Sequence, residues 1–513
     1  MSAAASAAGQ EEVPHRGVLT LCVMLATIMQ ALDTTIANVA LPYMQGNLSA
    51  TQDQINWVLT SYIVAAAIVT PVTGFIVARF GRKRVFLLSV AGFTVASMLC
   101  GMAASLPQMV LFRLLQGVFG APLVPMSQSV LLDSYPKEKH GSAMAMWGVG
   151  VMVGPILGPV LGGWLTEAYN WRFVFYINLP VGILTFLGLS AYLSDSKRNA
   201  VRFDWFGFVC LSVMIGALQM MLDRGEQIDW FSSTEIVIET ALTILAGYLF
   251  LVHTMTAKNP FLDPRIFADR NFNVGLVFIF IVGVILLATL ALLTPYLQNL
   301  MGFPVITAGI ILGPRGVGTM IAMIVVGRVI SKIDPRYLVL LGLVLTIWVL
   351  WEMVGYTPDV SQFTLIMNGV VQGLGLGFMF VPLSTITFAT LPSEFRTQGT
   401  ALFSLTRNIG SSIGISLVSF LLTRNTQVVH ASLAEHVTPY NLALKAPRIA
   451  QYWDIGSTSG LAALNSMITK QATVIAYADD FKLMMYVAVV AIPGLLLLRG
   501  PRRKDEPMEA ILE

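Results

Sequence analysis

Apolar residues in this chain come in long blocks separated by polar breaks. Fourteen such blocks recur, near residues 17–41, 53–77, 84–105, 107–131, 140–168, 173–193, 204–222, 234–256, 272–300, 304–330, 336–356, 360–390, 397–423 and 481–499. About 20 apolar residues cross roughly 30 Å of hydrocarbon as a helix, so the pattern predicts fourteen transmembrane helices. The longer blocks must tilt, bend or project. Connections are mostly short. Residues 424–480 are the exception; they are mixed polar, contain Gly, Pro and Asn, and read as a long loop. The first block is too long for a signal peptide and follows Glu11 and Glu12 in place of a basic region, so it is expected to remain as a span.

Composition agrees. The 513 residues are 56% hydrophobic and 12% charged, with a mean hydropathy of +0.73, against about 25% charged in soluble domains. The net charge of +3 is dispersed, which argues against a nucleic-acid partner. Cys22, Cys100 and Cys210 sit inside apolar blocks without metal-ligand spacing and read as packed thiols. The five histidines show no metal spacing either. No Gly-Lys dipeptide occurs, so there is no phosphate-binding loop. Gly410-Ser411-Ser412-Ile413-Gly414 matches the hydrolase elbow, but that chemistry needs a strand–turn–helix context. In an apolar block it reads as packing. No enzyme, metal or cofactor is expected, and the energy source is expected to be a gradient.

Basic residues set the orientation. With the N-terminus inside, the inner breaks hold Arg79, Arg82, Lys83 and Arg84; Lys137 and Lys139; Lys197, Arg198 and Arg202; Lys258, Arg265 and Arg270; Arg328, Lys332 and Arg336; Arg396; and Arg499, Arg502, Arg503 and Lys504. Short outer breaks hold only Arg172 and Arg224. Both termini are therefore expected in the cytoplasm. The 424–480 segment is expected outside, where long loops translocate largely regardless of charge.

Three pieces recur in order. Gly74, Arg79, Gly81 and Arg82 resemble Gly327, Arg328, Asp334 and Arg336. Gln116-Gly117, then Pro125-Met-Ser127, resembles Gln372-Gly373, then Pro382-Leu-Ser384. Gly150 and Gly154 resemble Gly410 and Gly414. The offsets are 253, 256 and 260 residues, about eight spans with their loops. A six-helix unit displaced by eight implies a 6 + 2 + 6 arrangement. The expected divisions are a tail at 1–16, an N-terminal bundle at 17–193, two inserted helices at 194–260, a C-terminal bundle at 261–499 and a tail at 500–513. Duplicated halves around a midplane site are the layout of secondary transporters.

Glycine recurs every fourth residue at Gly150, Gly154, Gly158 and Gly162, with Gly163, Pro155 and Pro159 beside the row. Such a row makes a smooth groove for close helix approach, either in a moving joint or in a static helix pair.

These stretches resemble the major facilitator superfamily, and most of all its fourteen-helix drug:proton antiporters of the EmrB type. Leu32-Asp33-Thr34-Thr35-Ile36-Ala37-Asn38-Val39-Ala40-Leu41-Pro42 is similar to that branch's first-helix signature. Gly74 through Lys83 is similar to the loop motif between helices two and three, and Arg113-Leu-Leu-Gln116-Gly117 to the fourth-helix motif. Gly150 through Gly163 resembles the fifth-helix antiporter motif. Met221-Leu-Asp223-Arg224-Gly225 with Asp229-Trp230-Phe231 resembles the outer loop of the EmrB-type insert. The loop motif carries Ala78 where the family has an acid that helps latch the inner gate. Without that acid, the remaining reading for Arg79, Arg82 and Lys83 is attraction to the membrane's surface charge.

The resemblance implies an all-α major facilitator fold with two six-helix bundles and two inserted helices. It implies proton-coupled efflux of hydrophobic drug-like molecules across a bacterial inner membrane. It also implies an EmrA-type periplasmic adaptor and a TolC-type outer-membrane channel as partners. A proton-coupled importer and a non-transporting sensor or scaffold are the alternatives; the fifth-helix motif speaks against the first, and duplicated halves with intramembrane charges against the second.

Asp33 lies nine residues before Pro42, and Arg113 six after Pro107. At 1.5 Å per residue both lie roughly 9–14 Å below the outer surface, so they can meet. An intramembrane charge faces a cavity or a partner. Burial and a nearby guanidinium act in opposite senses on a carboxylate's proton affinity, so alternate opening would let Asp33 take a proton on one side and release it on the other. The alternative is a fixed ion pair that never titrates. Arg315 and Arg407 lack an obvious acidic partner; Arg407, near the inner end, is expected to snorkel, while Arg315 is a candidate for the pathway. Glu167, Glu239 and Glu352 are expected in solvent near span ends. Gln30, Asn38, Gln116, Trp147, Tyr296 and Gln298 are candidate pocket residues by position.

Overall fold

A computed structural model describes residues 15–196, 203–258, 260, 262–438, 440, 441, 453 and 456–499; the side chains of residues 52, 53, 137, 155, 159, 305 and 306 are outside that description. The tails, much of the 194–202 break and Lys445, Arg448, Arg502, Arg503 and Lys504 lie outside the described residues.

Among the described residues, fourteen helices are long and apolar enough to span a bilayer. They are α1 (Arg16–Asn47), α2 (Trp57–Phe80), α3 (Arg82–Met102), α4 (Leu106–Ser134), α5 (His140–Ala168), α6 (Phe173–Tyr192), α7 (Trp205–Arg224), α8 (Thr234–Thr256), α9 (Arg270–Leu300), α10 (Val305–Val329), α11 (Pro335–Val354), α12 (Gln362–Ala389), α13 (Arg396–Ala434) and α14 (Thr458–Ala491). No strand occurs among the described residues. Local chemistry sets the breaks. Thr51 and Gln54 form a capping box that starts a separate turn before α2. A 3-10 turn containing Pro71 bends α2, and Pro122 sits at the bend in α4.

The two halves repeat the same pairings. In the first, α1 packs on α5 and α6, α2 on α4, and α3 on α4 and α6; in the second, α9 packs on α13 and α14, α10 on α12, and α11 on α12 and α14. The repeat holds at residue level. A Cβ at Gly154 would press on Ala31, and one at Gly414 on Val284, 253 residues later. Between the halves, α7 and α8 pack on each other, and α7 touches both α2 and α13. Its Gln219 exchanges hydrogen bonds with Ser412 at 2.9 and 3.0 Å.

Residues 424–480 depart from the expected loop. α13 runs to Ala434 and α14 begins at Thr458. At 1.5 Å per residue α13 is about 58 Å long, well beyond a ~30 Å hydrocarbon core. The projecting parts meet where His430 Nε2 lies 3.0 Å from Asn465 Oδ1. The buried positions Gly460, Leu464, Ala472 and Ala476 fall on one four-residue row. A helical pair exposed on both flanks needs only that narrow seam, so its apolar periodicity is weak.

One end of the molecule carries Arg79, Arg82, Arg336, Arg396 and Arg499, and is termed the basic end. There Thr20 Oγ1 lies 2.9 Å from Tyr135 Oη, and Asn271 Nδ2 donates to Arg499 O at 3.0 Å.

Candidate functional site

Asp33 sits midway along α1 with no exposed surface, and Arg113 on α4 is 1% exposed. Arg113 Nη1 donates to Asp33 Oδ2 at 2.7 Å. The other carboxylate oxygen accepts from Gln116 Nε2 at 2.7 Å and from Asn178 Nδ2 at 3.0 Å. Arg113 also donates to Gln116 Oε1 at 2.8 Å and through Nε to Val58 O at 3.0 Å. Its guanidinium carbon lies 4.5 Å from the centre of the Tyr62 ring. Ser97 Oγ accepts from Asn178 at 2.9 Å and donates to Phe175 O at 2.8 Å. Residues of α1, α2, α3, α4 and α6 thus converge around one carboxylate. Two opposite charges in a dry site are tolerated when additional hydrogen bonds support the pair; here Gln116, Asn178 and the Val58 carbonyl supply them, and the Tyr62 ring covers the guanidinium.

The glycine row holds α1 in place. A Cβ at Gly154 would lie 2.5 Å from Ala31 O, one at Gly158 would collide with Thr35 Oγ1, and one at Gly162 would lie 2.9 Å from Ile36 Cγ1. Thr35 Oγ1 donates to Gly154 O at 3.0 Å. Asp33 is flanked by these contacts on its own helix. Gly150 is looser, at 3.4 Å from Met24, and Gly163 would meet nothing. The side chain of Pro155 lies outside the described residues.

The other candidates are dispersed. Gln30 Nε2 donates to Tyr62 Oη at 3.2 Å and so borders the cluster, and Gln116 belongs to it. Asn38 is exposed and donates to Thr34 O. Trp147 is buried and stacks on Phe380 of the other bundle at 5.8 Å. Tyr296 donates to Thr357 O at 2.9 Å within a group that includes Tyr356 and Tyr477. Gln298 is half-buried in the π-helical turn Tyr296–Leu300. Arg315 is buried, donates from Nη2 to Leu286 O at 3.0 Å, and borders a small cavity in the C-terminal bundle. Arg407 lies about 16 Å along α13 from the basic end, deeper than the snorkelling position expected of it; its Nη2 lies 3.5 Å from Asn408 Oδ1. Glu239, expected in solvent, is buried at 7% exposure because α7 covers that face of α8.

At the basic end Arg82 has a protein partner in place of the expected attraction to the membrane surface. It pairs with Asp133 at the end of α4, and Arg396 of the other bundle donates to the same carboxylate at 2.6 Å. The acid missing at position 78 is replaced, for these arginines, by one on a neighbouring helix. Around it Ser129 Oγ lies 3.0 Å from Thr397 Oγ1, Thr400 donates to Pro125 O at 3.0 Å, and a Cβ at Gly74 would lie 3.0 Å from Gln398 Cα. Gly81, the residue just before α3, has φ +90°, a conformation that favours glycine. The α5–α10 seam runs from Gly141 against Ile330 to Ile156 against Gly316; beyond it Gly163 and Gly309 meet nothing within 4 Å. The contacts described between the bundles thus include a close set at the basic end.

Sequence reasoning missed Asn178, Ser97, Tyr62, Asp133 and Arg396 as partners. Asn178 alone had a signal, an amide inside an apolar block. The others depend on which helices face one another.

The family described as Major Facilitator Superfamily matches residues 23–424. The multidrug export protein EmrB of Haemophilus influenzae is 36% identical over 94% of this chain and 94% of its own length. EmrB of Escherichia coli K12 is 35% identical over 96% of this chain and 98% of its own. The fatty acid resistance protein FarB of Neisseria gonorrhoeae is 36% identical over 94% of this chain and 96% of its own. Among solved structures, the human organic anion transporter MFSD10 superposes with a TM-score of 0.59 at 14% identity, covering 93% of this chain and 100% of that one, a likeness of fold alone.

Proposed function

The chain belongs to the major facilitator superfamily, among its EmrB-type multidrug exporters, and we propose that it drives efflux by exchanging drug for a proton at Asp33. It is a multi-pass membrane transporter, and this exchange calls for no enzymatic step and no cofactor beyond the proton gradient.

The observation that carries the coupling is a carboxylate with no exposed surface whose partners come from α4 and α6 while its own helix rides on the glycine row of α5. Protonating Asp33 cancels its attraction for Arg113. Arg113 keeps the Val58 carbonyl and Gln116 Oε1 but loses its counterion, which raises the energy of this arrangement relative to one that rewets the cation. The α4 contact then weakens while the α5 contact remains, and α1 can shift with α5. On this reading the basic end is cytoplasmic and the membrane is the bacterial inner membrane. The conformation, closed at the basic end, is the one that would release drug and admit a proton from outside. The projecting ends of α13 and α14 offer a docking surface for an EmrA-type adaptor leading to a TolC-type channel.

Sealed vesicles with an imposed pH gradient test this. Wild type should expel a hydrophobic dye in step with the gradient. Asp33→Asn should lose gradient-driven efflux and keep dye exchange down a dye gradient. Full pH-driven efflux by Asp33→Asn would overturn the coupling role, and gradient-driven uptake by wild type would favour import.

A further inference from the structure

The C-terminal bundle contains a counterpart of the Asp33 site that lacks the acid. Gln372 on α12 follows Gln116 on α4 by 256 residues, and Gly369 follows Arg113 by the same number. Arg315 on α10 follows Tyr62 on α2 by 253, and Leu286 on α9 follows Asp33 by 253, in the register that the Ala31 and Val284 contacts fix. The N-terminal bundle thus holds a cation and its anion together. The C-terminal bundle keeps a cation, moved from the fourth-helix to the second-helix position, and has leucine where the acid would stand.

The pocket at this counterpart has polar walls. Arg315 is 9% exposed and Gln372 is 2% exposed. Arg315 Nε and both polar atoms of the Gln372 amide have no hydrogen-bond partner, and no carboxylate among the described residues pairs with Arg315. Both side chains line a cavity with Leu297, Ile311, Leu365 and Gly369, with room for about one water molecule. Gly369 itself lines the cavity, and a Cβ there would make only ordinary contact with Arg315 and Ile311 of α10, nearest at 3.8 Å. A water there could satisfy hydrogen bonds but not the charge of a guanidinium, which stays protonated. A buried cation of this kind needs an anion.

We propose that this pocket binds a small monovalent anionic group, either chloride or the carboxylate of an apolar substrate, with Arg315 supplying the charge and Gln372 a second donor. The carboxylate head takes the counterion role of Asp33, within the cavity beside Arg315 and Gln372, and an apolar tail follows the leucine and isoleucine lining as the bundle opens. This deepens the export reading by giving acidic amphiphiles a site of their own, and it rests on that reading only for the transport step.

The test uses the full chain in zwitterionic nanodiscs in a sulfate buffer, with thermal unfolding as readout, since a ligand that binds the folded form raises the midpoint. Sodium octanoate, octanol and sodium chloride are the probes. Wild type should bind octanoate at least tenfold more tightly than octanol. Arg315→Met and Gln372→Leu should each lose that preference; Arg315→Met removes an unpaired buried charge, so its fold is expected to survive, and Gln372→Leu serves if it does not. Chloride matching octanoate identifies an inorganic anion site, and octanoate exceeding chloride identifies a substrate carboxylate; both support the pocket. Midpoints indifferent to octanoate and chloride, or a preference that persists in both variants, overturn it. If wild type binds anions through Arg315 but expels neither dye nor octanoate under a pH gradient, the export reading fails and the pocket stands. If it expels dye and ignores both anions, the reverse holds.

Discussion

Arg396 reaches from the start of α13 across the seam between the bundles and donates to Asp133 Oδ1 at 2.6 Å. Asp133 is held on its own side by Arg82, so one carboxylate ties the inner loop motif to the opposite bundle. Both ends of the Arg396–Asp133 pair are largely buried, at 12% and 19% exposure. A hydrogen bond to a charged group contributes about 1.5–3 kcal/mol, enough to shift a two-state equilibrium roughly tenfold or more. Arg396→Gln is expected to open the basic end by about that factor. A reporter thiol introduced beside the pair as Ser129→Cys should then label faster with a membrane-impermeant maleimide. Exchanging the two residues, Asp133→Arg with Arg396→Asp, should not restore closure, because the new arginine would face Arg82. Labelling of Arg396→Gln at the wild-type rate would remove the latch role.

The glycines of α5 are not equivalent. Gly154 and Gly158 sit where any side chain would strike α1, whereas Gly163 has open space. Overpacking a close contact costs about 1–3 kcal/mol, and here the cost falls on the helix that carries Asp33. Gly158→Val should reduce efflux at least tenfold and lower the unfolding midpoint, and Gly154→Val should do the same. Gly163→Ala should leave both near wild type. Equal tolerance at positions 158 and 163 would show that the α1–α5 contact is not held by the glycine row.

The existence of all fourteen helices was legible in the sequence, because a hydrocarbon layer demands unbroken apolar length and the chain supplies it fourteen times. The meeting of Asp33 with Arg113 was legible too, since two prolines gave each a depth. Tyr62 was not, and the Asn178 amide stood out in its apolar block without showing its partner, because helix rotation decides which side chains face inward and no periodicity reports it in a span so nearly all apolar. Asp133 was hidden for a further reason. A family pattern directs attention to position 78, and the compensating acid lies 55 residues away on another helix. The α13–α14 projection was lost because its seam is one row of mostly small residues. In the C-terminal bundle the repeat was visible, but the exchange of Tyr62 for Arg315 and of Arg113 for Gly369 emerges only when both bundles are laid in register.

The inserted helix α7 touches both halves, and its Gln219–Ser412 pair lies on the C-terminal side. Ser416 Oγ also donates to Leu222 O at 2.9 Å, and Trp230 packs edge-on to Phe420 at 5.7 Å. On the other side Asp223 accepts from Thr60. Interhelical hydrogen bonds in membranes are worth about 0.6 kcal/mol on average, at most about 1.7. A double-mutant cycle on Gln219→Leu and Ser412→Ala should therefore give a coupling of about 1 kcal/mol in reversible unfolding. A coupling of zero would mean that the Gln219–Ser412 pair adds nothing to holding the insert on the C-terminal bundle.

Charge and shape are separable at the central site. Asp33→Asn keeps the size of the side chain but leaves Arg113 buried without its counterion. Removing one partner of a buried pair typically costs about 3–5 kcal/mol, so Asp33→Asn should unfold well below wild type even where transport is not measured. Adding Arg113→Gln to Asp33→Asn removes the stranded charge. It also leaves Gln116, Asn178 and Ser97 as a neutral network that amides can join. The double variant should recover most of the lost stability and none of the pH-driven efflux. That pattern distinguishes a coupling pair from a merely structural one, since a structural pair replaced by a neutral network would regain both. Recovery of gradient-driven efflux in Asp33→Asn with Arg113→Gln would move the proton to another residue.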